Sequence, residues 1–258
     1  GNVDIVKAWD RITRATFGVK GIAIAIITFM SMPATTVFGK TAIIRLYIRT
    51  IEFNGTHFCK YEAYNPGHSN KDRIALHIIN KAEESGLIDK HSTIIETSSG
   101  NTGFSLSMIA MVKGYKCIVA VSSKSSIDKI DMLKSMGAKV YVCPANVAAD
   151  DSRSYYQVAK RLNEEIKDSF YVNQYFNDLN IDAHYQTTGP EIWEQTNGKI
   201  THLIASSGTG GTISGIGRFL KEKNRCLIST SPEESANSIT SIILNVIKLN
   251  GERSYKNC

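Results

Sequence analysis

The sequence predicts an α/β fold in which a mainly parallel sheet is flanked by helices. Short apolar runs typical of buried strands alternate with runs of helical period. The strand-like runs are His57–Glu62, Thr93–Glu96, Lys116–Ser122, Lys139–Cys143 and His202–Ala205. The helical runs are Asp72–Ser85, Thr102–Val112, Ile127–Met136, Ser154–Ile166, Pro190–Gln195 and Thr212–Lys221. Such an alternation favours parallel strands covered on both faces, with ligands at the carboxyl ends of the strands.

Composition and charge narrow the classes of function. The chain has 258 residues, of which 42% are hydrophobic and 21% charged, as in a soluble globular protein with a sizeable core. The net charge is +6, but lysines and arginines are scattered among acidic residues. Because no basic run is interleaved with aromatic residues, we expect no nucleic-acid partner. The mild positive balance suits anionic small ligands.

Cysteine and histidine usage indicates a reduced protein without a metal site. The five cysteines include no C-x-x-C pair, and Cys117 and Cys143 lie in strand-like runs. Buried thiols of this kind are typical of the cytoplasm. The six histidines show neither H-x-x-x-H nor H-x-H spacing, so we expect no metal ion.

Residues 1–37 form a divergent N-terminal segment. Its apolar run, Ile22–Met30, is far too short to span a bilayer as a helix, so we expect no membrane partner. A basic region, an apolar region and small residues follow one another, which is the outline of a signal peptide. Asp4 and Asp10 interrupt the basic region, and we favour a buried strand or helix instead.

The stretch Tyr64–Arg73 places a lysine where a turn meets a helix. Pro66 and Gly67 favour a turn, and a helical apolar stripe begins at Ile74. The partial positive charge of a helix N-terminus favours an uncharged amine at Lys71. A lysine that acts as a nucleophile or base needs a lowered pKa of this kind. Considered alone, such a lysine is more often a solvated residue of a surface turn.

The segment Ser206–Thr212 reads Ser-Ser-Gly-Thr-Gly-Gly-Thr and joins a strand-like run to a helical one. Its N–H groups, the following helix N-terminus and the hydroxyls of Thr209 and Thr212 suit a phosphate. It is not a dinucleotide fingerprint, because Ile213 occupies the third glycine position, and it lacks the Gly-Lys of a Walker loop. A tight turn that packs helix on strand is the structural alternative.

The segment Glu96–Gly103 reads Glu-Thr-Ser-Ser-Gly-Asn-Thr-Gly and also opens a helix. Its hydroxyl and N–H groups can bind a carboxylate. The structural alternative is a helix cap, with Ser98 or Ser99 at the N-cap position.

Together with Ser69-Asn70-Lys71-Asp72-Arg73, these motifs resemble the pyridoxal-phosphate (PLP) enzymes of the cysteine synthase and cystathionine β-synthase family, the fold-type-II group. The resemblance runs from about residue 38 to about residue 223. It implies an α/β catalytic domain over residues 38–258, in two subdomains with PLP between them. The smaller subdomain would occupy about residues 75–165.

The resemblance also assigns roles to individual residues. It implies that Lys71 forms the Schiff base with PLP and is the catalytic base. The cofactor-binding residues it implies are Lys71, Asn101, Gly208, Thr209, Gly210, Gly211 and Thr212. The substrate-binding residues it implies are Ser98, Ser99, Gly100, Thr102 and Gln174.

A further stretch, His184–Glu191, matches the family's His-Tyr-x-Thr-Thr-Gly-Pro-Glu. We interpret it as architecture, with Thr188 and Glu191 forming a capping box around Pro190. Neither His184 nor Glu191 is therefore placed in the site. His68 precedes the lysine by three residues, and we do not predict a catalytic role for it.

The resemblance ends after Asn224. The family core continues well past this point and supplies a polar residue, usually serine, to the pyridine nitrogen of PLP. Asn250 stands where that serine is expected, so the resemblance implies a truncated C-terminal third. The apolar run Ile239–Leu249 is predicted to pack as a strand or a helix.

The function implied by the resemblance is β-replacement on serine or O-acetylserine. Sulfide or homocysteine would be the nucleophile, and cysteine or cystathionine the product, in a cytoplasmic enzyme. The partners are small-molecule amino-acid and thiol or sulfide substrates, and the family is commonly homodimeric. Two alternatives stay open: a β-eliminase of the serine/threonine dehydratase kind, and a truncated homologue that binds PLP without catalysis.

Overall fold

The computed structural model describes residues 41–46, 56–98, 100–205, 208–230 and 246–249. Its strands are β1 (Ile43–Leu46), β2 (Thr56–Lys60), β3 (Thr93–Glu96), β4 (Lys116–Ser122), β5 (Lys139–Cys143), β6 (Ser169–Tyr171), β7 (His202–Ile204), β8 (Ile228–Thr230) and β9 (Val246–Leu249). Its α-helices are α1 (Lys71–Glu84), α2 (Asn101–Lys113), α3 (Ile127–Ser135), α4 (Tyr155–Glu165), α5 (Leu179–Ala183), α6 (Gly189–Gln195) and α7 (Gly211–Lys223). The predictions for residues 1–37, Ser99, Ser206, Ser207 and Asn250 fall outside the described residues.

One sheet is parallel, with the strand order β5-β4-β3-β6. Its strand β3 is buried along its whole length. Ile94 packs in a cluster with residues of α1 and α2, whereas Ile95 packs on the opposite face with residues of α4. Helices on both faces explain why two consecutive residues of β3, Ile94 and Ile95, are both apolar and both buried. The predicted α/β class is confirmed, and β3, β4 and β5 have the predicted bounds.

The other sheet is mixed. Its order is β1-β2-β9-β7-β8; β7 and β8 are parallel, and the other neighbours are antiparallel. The sequence predicts parallel pairing as the rule, and this sheet departs from it because β9 lies between β2 and β7, antiparallel to both. The apolar run Ile239–Leu249 was predicted to be a strand or a helix, and its last four residues form the strand β9.

The six predicted helices agree with their predicted bounds to within two residues, whereas α5 was not predicted. In α1 the predicted stripe is buried, and it packs against the parallel sheet through Ile74, Ile78, Ile79 and Ala82. In α7, Ile216 and Leu220 pack against Leu203 of the mixed sheet. None of the helices in the described part of the chain is long and apolar enough to cross a membrane.

The capping box predicted at Thr188 and Glu191 is wrong. A π turn at His184–Thr188 joins α5 to α6, and Thr188 has helical dihedrals with no side-chain cap. Pro190 has no N–H to donate to the preceding turn, and a π turn accommodates such a missing donor. The Thr188 hydroxyl instead contacts His184 Nδ1 at 2.8 Å, and the Glu191 carboxylate binds buried cations.

Candidate active site

The turn before Lys71 is held by the aspartate that follows it. Asp72 accepts a hydrogen bond from the Gly67 N–H at 2.5 Å, and Ser105 of α2 donates its hydroxyl to the same carboxylate. A Cβ on Gly67 would lie 2.2 Å from Asp72 Oδ1, so a larger residue at this position would displace the Asp72 carboxylate. Asp72 therefore fixes both the turn and the contact between α1 and α2.

Arg73, two residues after the lysine, is anchored in a buried cluster of charges. This ion-pair cluster consists of Lys60, Glu62, Arg73 and Glu191. Arg73 Nε lies 2.6 Å from Glu62 Oε2, and Arg73 Nη2 lies 2.7 Å from Glu191 Oε2. Lys60 Nζ completes the cluster 2.8 Å from Glu191 Oε1. Two cations face two carboxylates, which is the condition under which charges are tolerated in a protein interior.

The ion-pair cluster perturbs the pKa values of its members. Burial alone would raise the pKa of Glu62, but the Arg73 charge and hydrogen bonds overcome this effect and lower the pKa to about 2. Burial lowers the pKa of Lys60 to about 8, against the attraction of Glu191. The cluster joins β2, α1 and α6, so it fixes the first turn of α1 relative to the mixed sheet.

Lys71 is the first residue of α1, as predicted, and it differs from its two anchored neighbours. No described carboxylate lies within ion-pair distance of its amine. Burial lowers the pKa of Lys71 below its ordinary value. A lowered pKa for Lys71 agrees with the expectation from the sequence, and its cause is the desolvation of the amine. A lysine in this state has an enlarged neutral fraction and can act as a nucleophile or base.

The glycine-rich loop Gly208–Thr212 lies directly beside the lysine turn. Its Gly210 has a φ of 78°, and α7 begins at Gly211, so the loop opens onto a helix N-terminus. The Asn70 side-chain Nδ2 donates to Thr212 Oγ1 at 3.0 Å. His184 Nε2 lies 3.1 Å from the same hydroxyl. Burial lowers the pKa of His184 to about 3, so this imidazole is neutral.

A second asparagine holds the other threonine of the loop. Asn180 Nδ2 donates to Thr209 Oγ1 at 3.0 Å and to the Gln174 carbonyl at 3.2 Å. The asparagine fits only because residue 211 is glycine: a Cβ there would lie 2.1 Å from Asn180 Oδ1. The glycine-rich loop is thus linked through Asn180 to the predicted substrate residue.

The loop after β3 supplies the remaining predicted residues. Thr102 is buried and donates its hydroxyl to Gln174 Oε1 at 2.7 Å, so two predicted substrate residues are in direct contact. Gly100 occupies the N-cap position of α2, and its N–H donates to Ser98 Oγ at 3.2 Å. Ser98 is therefore not the helix cap. Asn101 is the exposed first residue of α2.

Glu96, the last residue of β3, binds backbone N–H groups of the loop that follows it and of the segment that carries Gln174. Its carboxylate accepts the Thr97 N–H at 2.6 Å and the Gln174 N–H at 3.3 Å. Burial raises the pKa of Glu96, although both N–H groups favour the charged form. Glu96 thus ties the loop after β3 to the segment that carries Gln174.

The structure brings the three predicted motifs together. Hydrogen bonds run from Thr102 through Gln174 and Asn180 to Thr209, and a separate bond joins Thr212 to Asn70, next to Lys71. The loop after β3 and the glycine-rich loop, which follows β7, come from strands of different sheets. The site therefore lies between the sheets.

Sequence reasoning missed the residues that hold these motifs in place. The sequence predicts no role for Asn70, Asn180 or Glu96, and it treats His184 only as architecture. One signal was present: Asn180 and His184 are four residues apart, which places both on one face of a helix. His68, which was not predicted to be catalytic, is exposed and contacts the Ala63 carbonyl.

The chemistry of the loop fits the phosphate of PLP. The described loop Gly208–Thr212 offers hydroxyl and backbone N–H donors at the start of a 13-residue helix. Asn70 and Asn180 direct their side-chain N–H groups at the two threonine hydroxyls, so each hydroxyl keeps its own proton for another acceptor. The adjacent Lys71 amine, with its lowered pKa, suits the cofactor's aldehyde.

Comparison with known proteins identifies relatives in sulfur amino-acid metabolism. A family model described as pyridoxal-phosphate dependent enzyme matches residues 34–243. The cystathionine β-synthase of Apis mellifera is 44% identical over 204 residues, which cover 78% of this chain and 40% of that protein. Cysteine synthase 1 of Emericella nidulans is 42% identical over 188 residues, which cover 73% of this chain and 50% of that protein. The match thus spans half or less of the length of these two curated relatives.

A solved structure shows the same fold. The crystal structure of a hydrogen sulfide-producing enzyme from Fusobacterium nucleatum matches with a TM-score of 0.69 and 35% sequence identity. The match covers 83% of this chain and 70% of that one. The motifs around Lys71, their convergence between two sheets and these matches lead to one conclusion: the chain belongs to the family of pyridoxal-phosphate dependent enzymes.

Proposed function

We propose that the protein catalyses β-replacement on serine or O-acetylserine, with sulfide or homocysteine as the nucleophile. The observation that carries the proposal is the continuous set of hydrogen bonds that brings Thr102, Gln174 and Thr209 together beside the lysine turn. Two relatives of the chain, named cystathionine β-synthase and cysteine synthase 1, support the proposal. The products would be cystathionine or cysteine.

Lys71 is proposed to hold the aldehyde carbon of the cofactor covalently. The amine of the substrate would displace Lys71 from that carbon, and the freed Lys71 amine would then act as the base. Bound PLP supplies an electron sink that makes the Cα proton of an amino acid acidic. The Lys71 amine, whose pKa is lowered by burial, takes this proton at Nζ. Asp72 and Arg73, the two residues that follow Lys71, are anchored by a hydrogen bond and an ion pair, and they fix the backbone that carries the amine.

The substrate carboxylate is proposed to bind to Ser98, Ser99, Gly100 and Thr102, which follow β3, and to Gln174, which follows β6. Gln174 Oε1 accepts the Thr102 hydroxyl, which leaves the amide Nε2 as the donor for the substrate. Asn101 is proposed to contact the ring oxygen of PLP. The phosphate is proposed to bind at Gly208, Thr209, Gly210, Gly211 and Thr212.

A spectroscopic titration tests this proposal. Purified protein with PLP should show a visible absorbance band that is absent from Lys71→Ala and present in Lys124→Ala, which removes an exposed lysine in the turn after β4. Adding serine or O-acetylserine should change the band, and cysteine or cystathionine should form when sulfide or homocysteine is supplied. A band that does not respond to any of these substrates would favour a PLP-binding homologue without catalysis. No band in the folded protein would refute the role of Lys71.

Release of sulfide is a second candidate reaction. The Fusobacterium nucleatum relative is a hydrogen sulfide-producing enzyme. The same proton transfer by Lys71, applied to cysteine, would expel sulfide from Cβ, by β-elimination or by replacement with another thiol. Incubating the holoenzyme with cysteine, with and without homocysteine, separates the two routes by their products, pyruvate or cystathionine.

We also propose a cytoplasmic homodimer. The buried thiols of Cys117 and Cys143 suit a reducing compartment. Light scattering of the purified protein measures the oligomeric state, and a monomer at micromolar concentration would contradict the dimer.

The division into subdomains at about residues 75–165 stays a prediction, which limited proteolysis tests.

A further inference from the structure

The two threonines of the glycine-rich loop are held in the same way. Thr209 Oγ1 accepts an N–H from Asn180, and Thr212 Oγ1 accepts an N–H from Asn70, each at 3.0 Å. Both asparagines are almost fully buried, with 3% and 6% of their surface exposed. They come from different elements: Asn180 lies in α5, and Asn70 precedes α1.

The orientation of both amides determines what the hydroxyls can do. A threonine oxygen that accepts an amide N–H keeps its own proton for another acceptor. The opposite orientation would turn the carbonyl Oδ1 toward the hydroxyl and consume that proton. Asn180 Nδ2 also donates to the Gln174 carbonyl at 3.2 Å, which fixes the orientation of this amide, because the opposite orientation would bring two carbonyl oxygens together. Asn70 directs its Nδ2 at Thr212 Oγ1 in the same sense. The two amides therefore prepare two O–H donors for an anion.

We propose that Asn180 and Asn70 are positioning residues of the phosphate site, which orient the Thr209 and Thr212 hydroxyls as donors to the cofactor phosphate. The inference rests on the proposed placement of that phosphate in the loop. The asparagines do not touch the phosphate; they act through the threonines. Their role explains why Gly211 has no side chain, since a Cβ there would displace the Asn180 amide.

Thr209 provides the clearer test of the two threonines. Thr212 also contacts His184 Nε2, and a neutral imidazole either donates to this hydroxyl or accepts from it, according to which ring nitrogen carries the proton. Thr209 Oγ1 accepts from Asn180 Nδ2 and, at 3.4 Å, from the Gly211 N–H. Neither of these groups can accept the Thr209 proton.

The experiment compares the affinities of the apoprotein for PLP and for pyridoxal, which lacks the phosphate. Both ligands react with the same lysine, so the ratio of their two affinities isolates the contribution of the phosphate to binding. Asn180→Ala should weaken PLP binding about tenfold to a hundredfold, as expected for one hydrogen bond to a charged group, and leave pyridoxal binding unchanged. Asn180→Asp should weaken PLP binding further, because its carboxylate accepts the Thr209 proton and repels the phosphate.

Threonine variants and a matched asparagine control complete the design. Thr209→Val should reproduce the effect of Asn180→Ala, and Thr209→Ser should restore affinity for PLP. Adding Asn180→Ala to Thr209→Val should cause no further loss. Asn224→Ala is the control, because Asn224 donates to the Ile200 carbonyl at 3.1 Å beyond the far end of α7. Its ratio of affinities should equal that of the wild type.

The outcomes separate this inference from the proposed function. A wild-type protein that does not bind PLP overturns the cofactor site and the inference with it. A wild-type protein that binds PLP at Lys71, but whose Asn180 variants keep the wild-type ratio, overturns only the inference. An equal loss of affinity for both ligands, accompanied by a lower melting temperature, also overturns it, since Asn180 would then act on the fold alone.

Discussion

Replacing Glu62 by glutamine tests whether the ion-pair cluster stabilises the region behind Lys71. The variant keeps the shape of the side chain but removes the charge that faces Arg73 at 2.6 Å. The pKa of Glu62 falls from 4.5 to about 2 in the folded protein, which corresponds to about 3 kcal/mol. Removing one partner of a buried ion pair typically costs about 3–5 kcal/mol, a similar magnitude. We expect Glu62→Gln to lower the free energy of unfolding at pH 7 by about 3 kcal/mol.

Urea titrations of the wild type and the variant at several pH values measure this loss. The folded pKa of Glu62 lies below its unfolded value, so its stabilisation is complete above pH 4.5 and disappears as the pH falls toward 2. The difference between the two proteins should shrink over that interval. Glu84→Gln, which removes an exposed partner of Lys81, should leave the urea midpoint unchanged. A Glu62 effect below about 1 kcal/mol, or one independent of pH, would refute the reasoning.

Three further predictions concern the loop after β3 and a buried thiol. Thr102→Val, which removes the hydrogen bond to Gln174, should raise KM for the amino-acid substrate about tenfold, and Thr102→Ser should restore it; steady-state kinetics decides. Gly103→Ala would place a Cβ 2.0 Å from the Ser98 carbonyl oxygen, so it should lower turnover while the absorbance band of bound PLP persists. Burial raises the pKa of Cys117 to about 11, so iodoacetamide at pH 8 should leave this thiol unmodified in the folded protein and modify it in urea, as peptide mass spectrometry would show.

The parallel sheet could be predicted from the sequence because its signals are local. Consecutive apolar residues indicate a strand that is covered on both faces, and β3 and β4 carry them. The edge strand β5 is less buried, but its residues from Val140 to Cys143 are apolar as well. The strands β6 and β8 have three residues each, too few to show a period, and they were not predicted. The mixed sheet could not be predicted, because the pairing of β9 with β2 joins distant parts of the chain.

The candidate site is predicted from motifs that are contiguous in the sequence. Lys71 and the glycine-rich loop are recognisable from neighbouring residues alone. The partners Asn70 and Asn180 act across the fold, and nothing in their local sequence shows which hydroxyl each will meet. The capping box failed for the same reason, because Glu191 has a stronger attraction to Arg73 than to a local N–H.

The position of β9 determines the order in which the molecule can assemble. This strand alone joins the pair β1-β2 to the pair β7-β8 in the described part of the sheet. The parallel sheet draws on one continuous stretch of chain and can form while synthesis is still under way. The mixed sheet must wait until residues 246–249 have left the ribosome, and closing so long a loop is slow. During that interval the unpaired edges of β2 and β7 are exposed to pairing with other chains, so aggregation of newly made protein should begin at this sheet.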